Sequence, residues 1–282
     1  MTLYKYLSPD RIDVLSKLKI RFTQFGAMND PFEVSVNIDK ISEQTNIYEL
    51  AKKDFKTLIE EEYDKYPVVQ SIISKKDFIN LALPLEEYLK PYVIENMNKV
   101  IELLPAVLKN KFDIGMGALS LSEKCDHQLM WSHYSENHMG YVIGFNSEHT
   151  FFNQRISAND ELRHVRKVSY VDKRPQINLM NPNGVEIFTI KHTNWEYESE
   201  WRMILPFSDA SEIIPNDKYP IYLFDVPASS ISLIILGSKM EDSNKEEIKS
   251  ILKSDAIYSH IELFDASLDK ESFKINIKRI KA

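Results

Sequence analysis

The sequence predicts an α+β fold with a mixed, mainly antiparallel sheet and a helical insert, and three observations carry that prediction. Short runs alternate apolar and polar residues at period two, among them "GMGALSLSE" (115–123), "HVRKVSYV" (164–171) and "FKINIKR" (273–279). Helical periodicity is concentrated in a few separate stretches instead of alternating regularly with strands, which argues against a doubly wound βαβ sheet. No Gly-rich phosphate loop follows any strand, so neither a Rossmann fingerprint nor a P-loop is present.

The elements follow in chain order. "LYKY" (3–6) reads as a strand with tyrosine hydroxyls at its rim, and 8–18 as a short helix with Ser8 as N-cap, Pro9 in the first turn and Ile12, Leu15 and Leu18 on one face. "KIRFTQF" (19–25) alternates as a strand and runs into "GAMNDPFE", where Gly26, Asn29 and Pro31 predict a turn. From about 42 to 112 the composition shifts to Lys, Glu, Tyr and Leu with helical spacing (Tyr88, Val93, Met97, Ile101, Leu104), punctuated by Pro67, Pro84, Pro91 and Pro105. "HQLMWSHYSENH" fits a helix or an irregular turn, "GYVIGFN" (140–146) a strand, and "NPNGVEIFTIKH" a capped helix. The last third predicts strands at 219–226, 230–237, 260–266 and 273–279 and a charged helix at 243–254. The expected organisation is one α+β domain over 1–282 carrying the insert at 42–112.

Composition narrows the function classes. A net charge of −7 opposes a surface that coats nucleic acid, although a local basic groove remains compatible with it. Cys125 is the sole cysteine, which excludes an intramolecular disulfide and thiolate zinc sites and fits a reducing cytosol. No stretch approaches the ~20 apolar residues of a membrane helix, and the first residues lack a signal-like apolar core. A cytoplasmic protein without a membrane partner is the expectation.

Four clusters could carry chemistry. Tyr4, Lys5 and Tyr6 with Arg21 offer aromatic faces for a base or nicotinamide ring and a cation for phosphate, although core packing explains the tyrosines as well. In "NDPFE", Asn29 to Pro31 are explained by a tight turn, with Glu33 readable as solvated. "MWSHY" supplies Trp131, His133 and Tyr134 as pocket lining, a proton donor and an aromatic face, or alternatively as an ordinary core tryptophan with its neighbours. The spacings of His133 to His138 and to His127 miss the i, i+4 geometry of a helical zinc pair, so no metal is expected. In "NWEYESEWRMIL" (194–205), a strand would put Glu196, Glu198, Glu200 and Arg202 on one face, and a helix would pair Glu198 with Arg202. Clustered carboxylates beside aromatics suit glycosidic-bond cleavage, because an anion stabilises an oxocarbenium-like transition state and accepts a hydrogen bond from a sugar hydroxyl.

Taken in order, "LYKY", "RF…NDPFE", "MWSHYSENHMGYVIGF", "WEYESEWR" and "IILG" resemble the bacterial domain-of-unknown-function family twenty-nine seventy-one over most of the chain outside the insert. The chain is also similar to ADP-ribosyltransferases of the arginine, serine, glutamate-x-glutamate class. That similarity implies a split sheet and NAD as substrate, with Arg21 or Lys5 as the basic residue and Ser120 or Ser122 in the middle role. It gives acceptor activation to Glu198 and oxocarbenium stabilisation to Glu200, leaves Glu196 as surface charge, and implies a protein or nucleic-acid acceptor, as in a toxin or phage-defence effector. The residues leave two other readings open: a metal-dependent nuclease or hydrolase using Asp30, Glu33, His133, Glu198 and Glu200, and a non-enzymatic nucleotide-binding module.

Overall fold

The computed structural model of the protein describes residues 1–34, 37–40, 55–57, 59–174, 176–178 and 184–281. The chain divides into two compact units, one of Met1–Val34, Lys109–Lys173 and Val185–Ala282, the other of Ser35–Leu108 and Arg174–Gly184.

The first unit is built on an eight-stranded sheet. Its strand order is Ile275–Ile280, Glu262–Leu268, Ile231–Leu236, Tyr141–Asn146, Thr2–Leu7, Met116–Ser122, Glu200–Pro206 and Arg166–Lys167. All neighbours are antiparallel except Ile231–Leu236 and Glu262–Leu268, which are parallel and therefore need the crossover supplied by the helix Asp242–Ser254. That helix presses Ile248 and Leu252 onto the core. "YVIGF" is buried at every position, as expected of a central strand covered on both faces. A three-stranded sheet, Glu212–Ile214, Ile221–Asp225 and Lys19–Phe22, joins the same core through Phe22 and Phe224, whose rings lie 4.4 Å apart. The fold class is thus α+β, with a mixed and mainly antiparallel sheet.

One irregularity of the main sheet positions the site. Thr2–Leu7 pairs with Tyr141–Asn146 along its whole length, but meets Met116–Ser122 only at Tyr4 opposite Ser122. Beyond that pair the two strands lose register, and the Lys5 side chain crosses the gap to donate from Nζ to the Ser120 carbonyl (3.0 Å). On the far side Met116–Ser122 is fully paired with Glu200–Pro206, with Ser122 opposite Glu200 and Ser120 opposite Arg202.

The local helical predictions resolve into shorter pieces. Residues 8–18 form a 3-10 turn, Pro9–Arg11, and a helix, Asp13–Lys17, ended by Leu18 in the left-handed region (φ 51°). "QLMWSHY" is a helix, Gln128–Tyr134, and Glu136, Asn137 and His138 then follow with φ of 50°, 54° and 74°. Gly140 closes this turn, and its role is close backbone approach: a Cβ there would lie 2.0 Å from the Leu7 carbonyl oxygen. Gly140→Ala should cost about 1–3 kcal/mol through displacement of the Thr2–Leu7 strand, read as a lower urea midpoint at unchanged slope. "GVEIFT" is a 3-10 helix, Gly184–Thr189, leading into a strand, Ile190–His192, in place of the predicted α-helix; 181–183 lie outside the described residues.

The second unit contains helices Pro67–Ile72 and Lys75–Ala82 and, up to Leu108, most of the helix Leu85–Gly115. Ser74 caps the second of these by accepting from the Asp77 amide (3.2 Å), and Tyr63 packs on Phe78 at 5.4 Å. The long helix runs through Pro91 and Pro105 instead of breaking there, each proline removing one backbone donor from its ladder. The insert expected at 42–112 falls mainly in this unit, its residues 42–54 and 58 lying outside the described residues.

Candidate functional site

Of the strand and the helix that "NWEYESEWRMIL" allows, neither runs through the whole stretch. Thr193–Glu198 is a 3-10 helix, Ser199 takes a left-handed conformation (φ 44°, ψ 53°), and the strand begins only at Glu200. This kink carries Glu198 and Glu200 on different elements and leaves Glu196 exposed. Ser122 fixes the kink from the neighbouring strand, donating from Oγ to the Glu198 carbonyl (2.6 Å) and accepting from the Lys124 amide (3.0 Å).

Below the kink lies a buried ionic cluster. Arg202 is 1% exposed and uses all five of its N–H donors. Nε and Nη2 reach Glu200 (2.6 and 2.9 Å), Nη1 and Nη2 reach Glu33 (2.8 and 2.6 Å), and Nη1 also meets the Phe188 carbonyl (3.0 Å). Glu33 is therefore buried and bidentate, not solvated. Lys191 completes the cluster, donating to Glu198 (2.6 Å) and Glu200 (3.1 Å) and standing 3.6 Å from Glu33, with its ammonium 4.8 Å from the centre of the Trp195 ring. Three carboxylates thus share two cations in a place where an unpaired charge would be costly.

The two glutamates of the motif are bound differently. Three donors converge on Glu200, namely Arg202 Nε, Arg202 Nη2 and Lys191 Nζ. An ionised carboxylate offers about four lone-pair sites, so most of the acceptor capacity of Glu200 is committed to the two cations. Burial raises its pKa, but Arg202 and Lys191 outweigh burial and hold it at about 2. Being depressed, it adds stability that is complete above the ordinary range near 4.5 and is lost as pH falls toward 2. Among the described residues Glu198 receives two donors, Lys191 and the Tyr134 hydroxyl, which leave about half of its sites uncommitted. Its pKa is raised, first by burial, with Lys191 opposing and Glu200 adding to the rise. Tyr134 is itself held by Asn29, whose Nδ2 donates to its hydroxyl (2.8 Å).

These groups open onto a pocket of about 310 Å³ at the split between Thr2–Leu7 and Met116–Ser122. Of the residues nominated from sequence, Tyr4, Lys5, Tyr6, Asn29, Ser120, Ser122, Tyr134, Glu198 and Glu200 line it, together with Thr23, Met28, Met130 and Lys191. Asp30 and Glu33 do not, nor do Trp131, His133 and Arg21. Trp131 is fully buried behind Tyr6, edge-on at 5.4 Å, with its indole N–H on the Cys125 carbonyl (2.8 Å). His133 is exposed, 6.2 Å from both the Tyr134 and the Tyr197 rings. Arg21 is half-buried outside the lining and donates to Gln24 (3.4 Å). Of the two basic residues considered, the one at the pocket is therefore Lys5. Burial pushes its ammonium down to about 8 despite the opposing pull of Glu200.

Lys191 was missed because "TIKH" carries no periodic or motif signal, and Glu33 because turn chemistry accounts for its neighbours. Among the described residues no group of three or more His, Cys, Asp or Glu is arranged to hold a metal ion, and Arg202 and Lys191 occupy the space between the clustered carboxylates. No helix among them is long and apolar enough to cross a membrane.

Fold and site together define an α+β protein whose split sheet opens a small aromatic pocket over a buried ionic cluster. Residues 130–203 match the model of a family described as protein of unknown function, DUF2971. The matched segment holds Tyr134, Lys191, Glu198, Glu200 and Arg202, while Lys5 and Glu33 come from outside it. Comparison with curated proteins and with solved structures returned no match.

Proposed function

We propose that the pocket binds the nicotinamide ribose half of NAD and that the protein is an ADP-ribosyltransferase, with Glu198 as the reacting carboxylate. The observation that carries this reading is that Glu198 lines the pocket with half of its acceptor sites free, on a rigid charged base. Cleavage breaks the bond between ribose C1′ and the nicotinamide nitrogen, and nicotinamide leaves with the bonding pair. Glu198 accepts a hydrogen bond from a ribose hydroxyl and stabilises the positive charge growing at C1′. The acceptor nucleophile then bonds to C1′, and its proton passes to Glu198, whose basicity burial has raised. Tyr4, Tyr6 and Tyr134 give the ring an aromatic enclosure, and Lys5 supplies the cation for the adjoining phosphate. Glu200 is a positioning residue in this scheme: it anchors Lys191, which in turn orients Glu198.

The test is release of free nicotinamide from NAD by the purified full chain, with and without candidate protein or nucleic-acid acceptors. Wild type is expected to release it in an enzyme-dependent manner. Neither release nor binding at millimolar NAD would end this reading, and saturable binding without release would identify a nucleotide-binding module instead. Lys5 gives the reaction a pH signature. The phosphate contact is present while the ammonium is protonated, so KM for NAD should rise as pH passes upward through about 8. Lys5→Arg, which stays charged, should remove that rise.

A further inference from the structure

We infer that the helix Leu85–Gly115 pairs, through its exposed apolar face, with the same helix of a second copy in antiparallel orientation. Within the second unit this helix leaves large apolar side chains in solvent: Leu85 is 54% exposed, Tyr88 80%, Tyr92 71%, Leu103 64% and Val107 50%. With Glu95 and Lys99 these residues follow one another at steps of three or four, so they form a single stripe along the helix. Two exposed apolar clusters on one helix face, on either side of a charged centre, mark an interaction surface more often than a solvated one.

The order of residues in the stripe selects its partner. A two-fold axis between positions 97 and 98 sets Tyr92 of one copy opposite Leu103 of the other, and Tyr88 opposite Val107. The middle of the stripe is charged, and its two charges have opposite sign. Glu95 and Lys99 form an i, i+4 ion pair at 2.7 Å within one helix. Under the antiparallel axis Glu95 of each copy falls beside Lys99 of the other, and the result is a closed four-charge cluster. A parallel alignment would instead face Glu95 with Glu95 and Lys99 with Lys99. Like charges across a helical seam disfavour that arrangement, so the central charges specify orientation as well as partner. From Tyr88 to Val107 the seam runs about 28 Å at 1.5 Å per residue, long enough for several turns of helix packing.

The inference does not depend on the chemistry of the pocket, and its test is molar mass in solution. Sedimentation equilibrium of the full chain at tens of micromolar should give twice 32.9 kDa. Leu103→Glu and Tyr92→Glu should each return it to 32.9 kDa with the helical circular dichroism of wild type. Val107→Glu replaces either variant if that signal is lost. Orientation is read in a Cys125→Ser background, by mixing Tyr92→Cys protein with Leu103→Cys protein under mild oxidation. A disulfide-linked heterodimer is expected, with little self-linking of either protein. A monomeric wild type, a dimer indifferent to all three glutamate substitutions, or preferential self-linking of Tyr92→Cys would overturn the proposal.

Discussion

Glu198→Gln is expected to lower the rate of nicotinamide release from NAD by about a hundred- to a thousandfold, the usual cost of removing one electrostatic stabiliser of a transition state. The substitution removes the negative charge but keeps a carbonyl oxygen for the Lys191 ammonium and an amide group beside the Tyr134 hydroxyl. Its effect on stability should stay within the ~1–3 kcal/mol of one altered buried hydrogen-bonding group. Nucleotide affinity should change little, because the aromatic walls and Lys5 are untouched. The substitution therefore separates chemistry from binding, and the measurement is single-turnover release alongside equilibrium binding of NAD. Glu200→Gln should behave differently. It would set an amide against Arg202 or Lys191 in a site whose three hydrogen-bond contacts are all donors, so its first effect is a lowered unfolding midpoint. If Glu198→Gln turns over like wild type while Glu200→Gln stays folded and inactive, the assignment of roles to the two residues is reversed.

The difference between those residues is also where the sequence stopped being readable. Period-two spacing places glutamates 196, 198 and 200 on one strand face, and nothing local contradicts it. Ser199 adopts a left-handed conformation that favours Gly or Asn, so the residue type carries no warning of the kink. What enforces the kink is remote: the Ser122 hydroxyl on the Glu198 carbonyl, the Tyr170 hydroxyl accepting from the Glu200 amide (2.8 Å), and the Glu123 amide on the Ser199 carbonyl (3.1 Å). Glu33 was obscured in a similar way. Asp30 does form the expected turn, accepting from the Phe32 amide (2.9 Å), but Glu33 owes its burial to Arg202, 169 residues further along the chain. By contrast, the strands were legible because burial imposes the period they display, as in "KIRF" with Ile20 and Phe22 inside. Trp131 fitted the reading of a core tryptophan that its composition allowed, and His133 beside it was drawn toward the pocket by adjacency alone.

Arg202→Met should be the most destabilising single change in the cluster, lowering the free energy of unfolding by about 3–5 kcal/mol, as expected when one partner of a buried charged network is removed. The argument rests on what is left behind. Glu33 loses both of its short hydrogen bonds and keeps only Lys191 at 3.6 Å. Glu200 loses two of its three donors, and the Phe188 carbonyl loses its own. Three buried carboxylates would then face one ammonium, so one or more of them should take up a proton, and the variant should become more stable as pH falls from neutrality toward 5. Wild type should show the opposite slope at lower pH, since the contribution of Glu200 is lost as pH drops toward 2. Urea unfolding followed across that range checks both the size and the sign. A loss under about 1 kcal/mol would place the Arg202 contacts among the weak ion pairs typical of protein surfaces. Replacing Glu33, Glu200 and Arg202 together by apolar residues of similar volume should recover most of the stability, because no unpaired charge remains. Nicotinamide release should not recover with it, since Lys191 would then have lost the anchor that orients it toward Glu198.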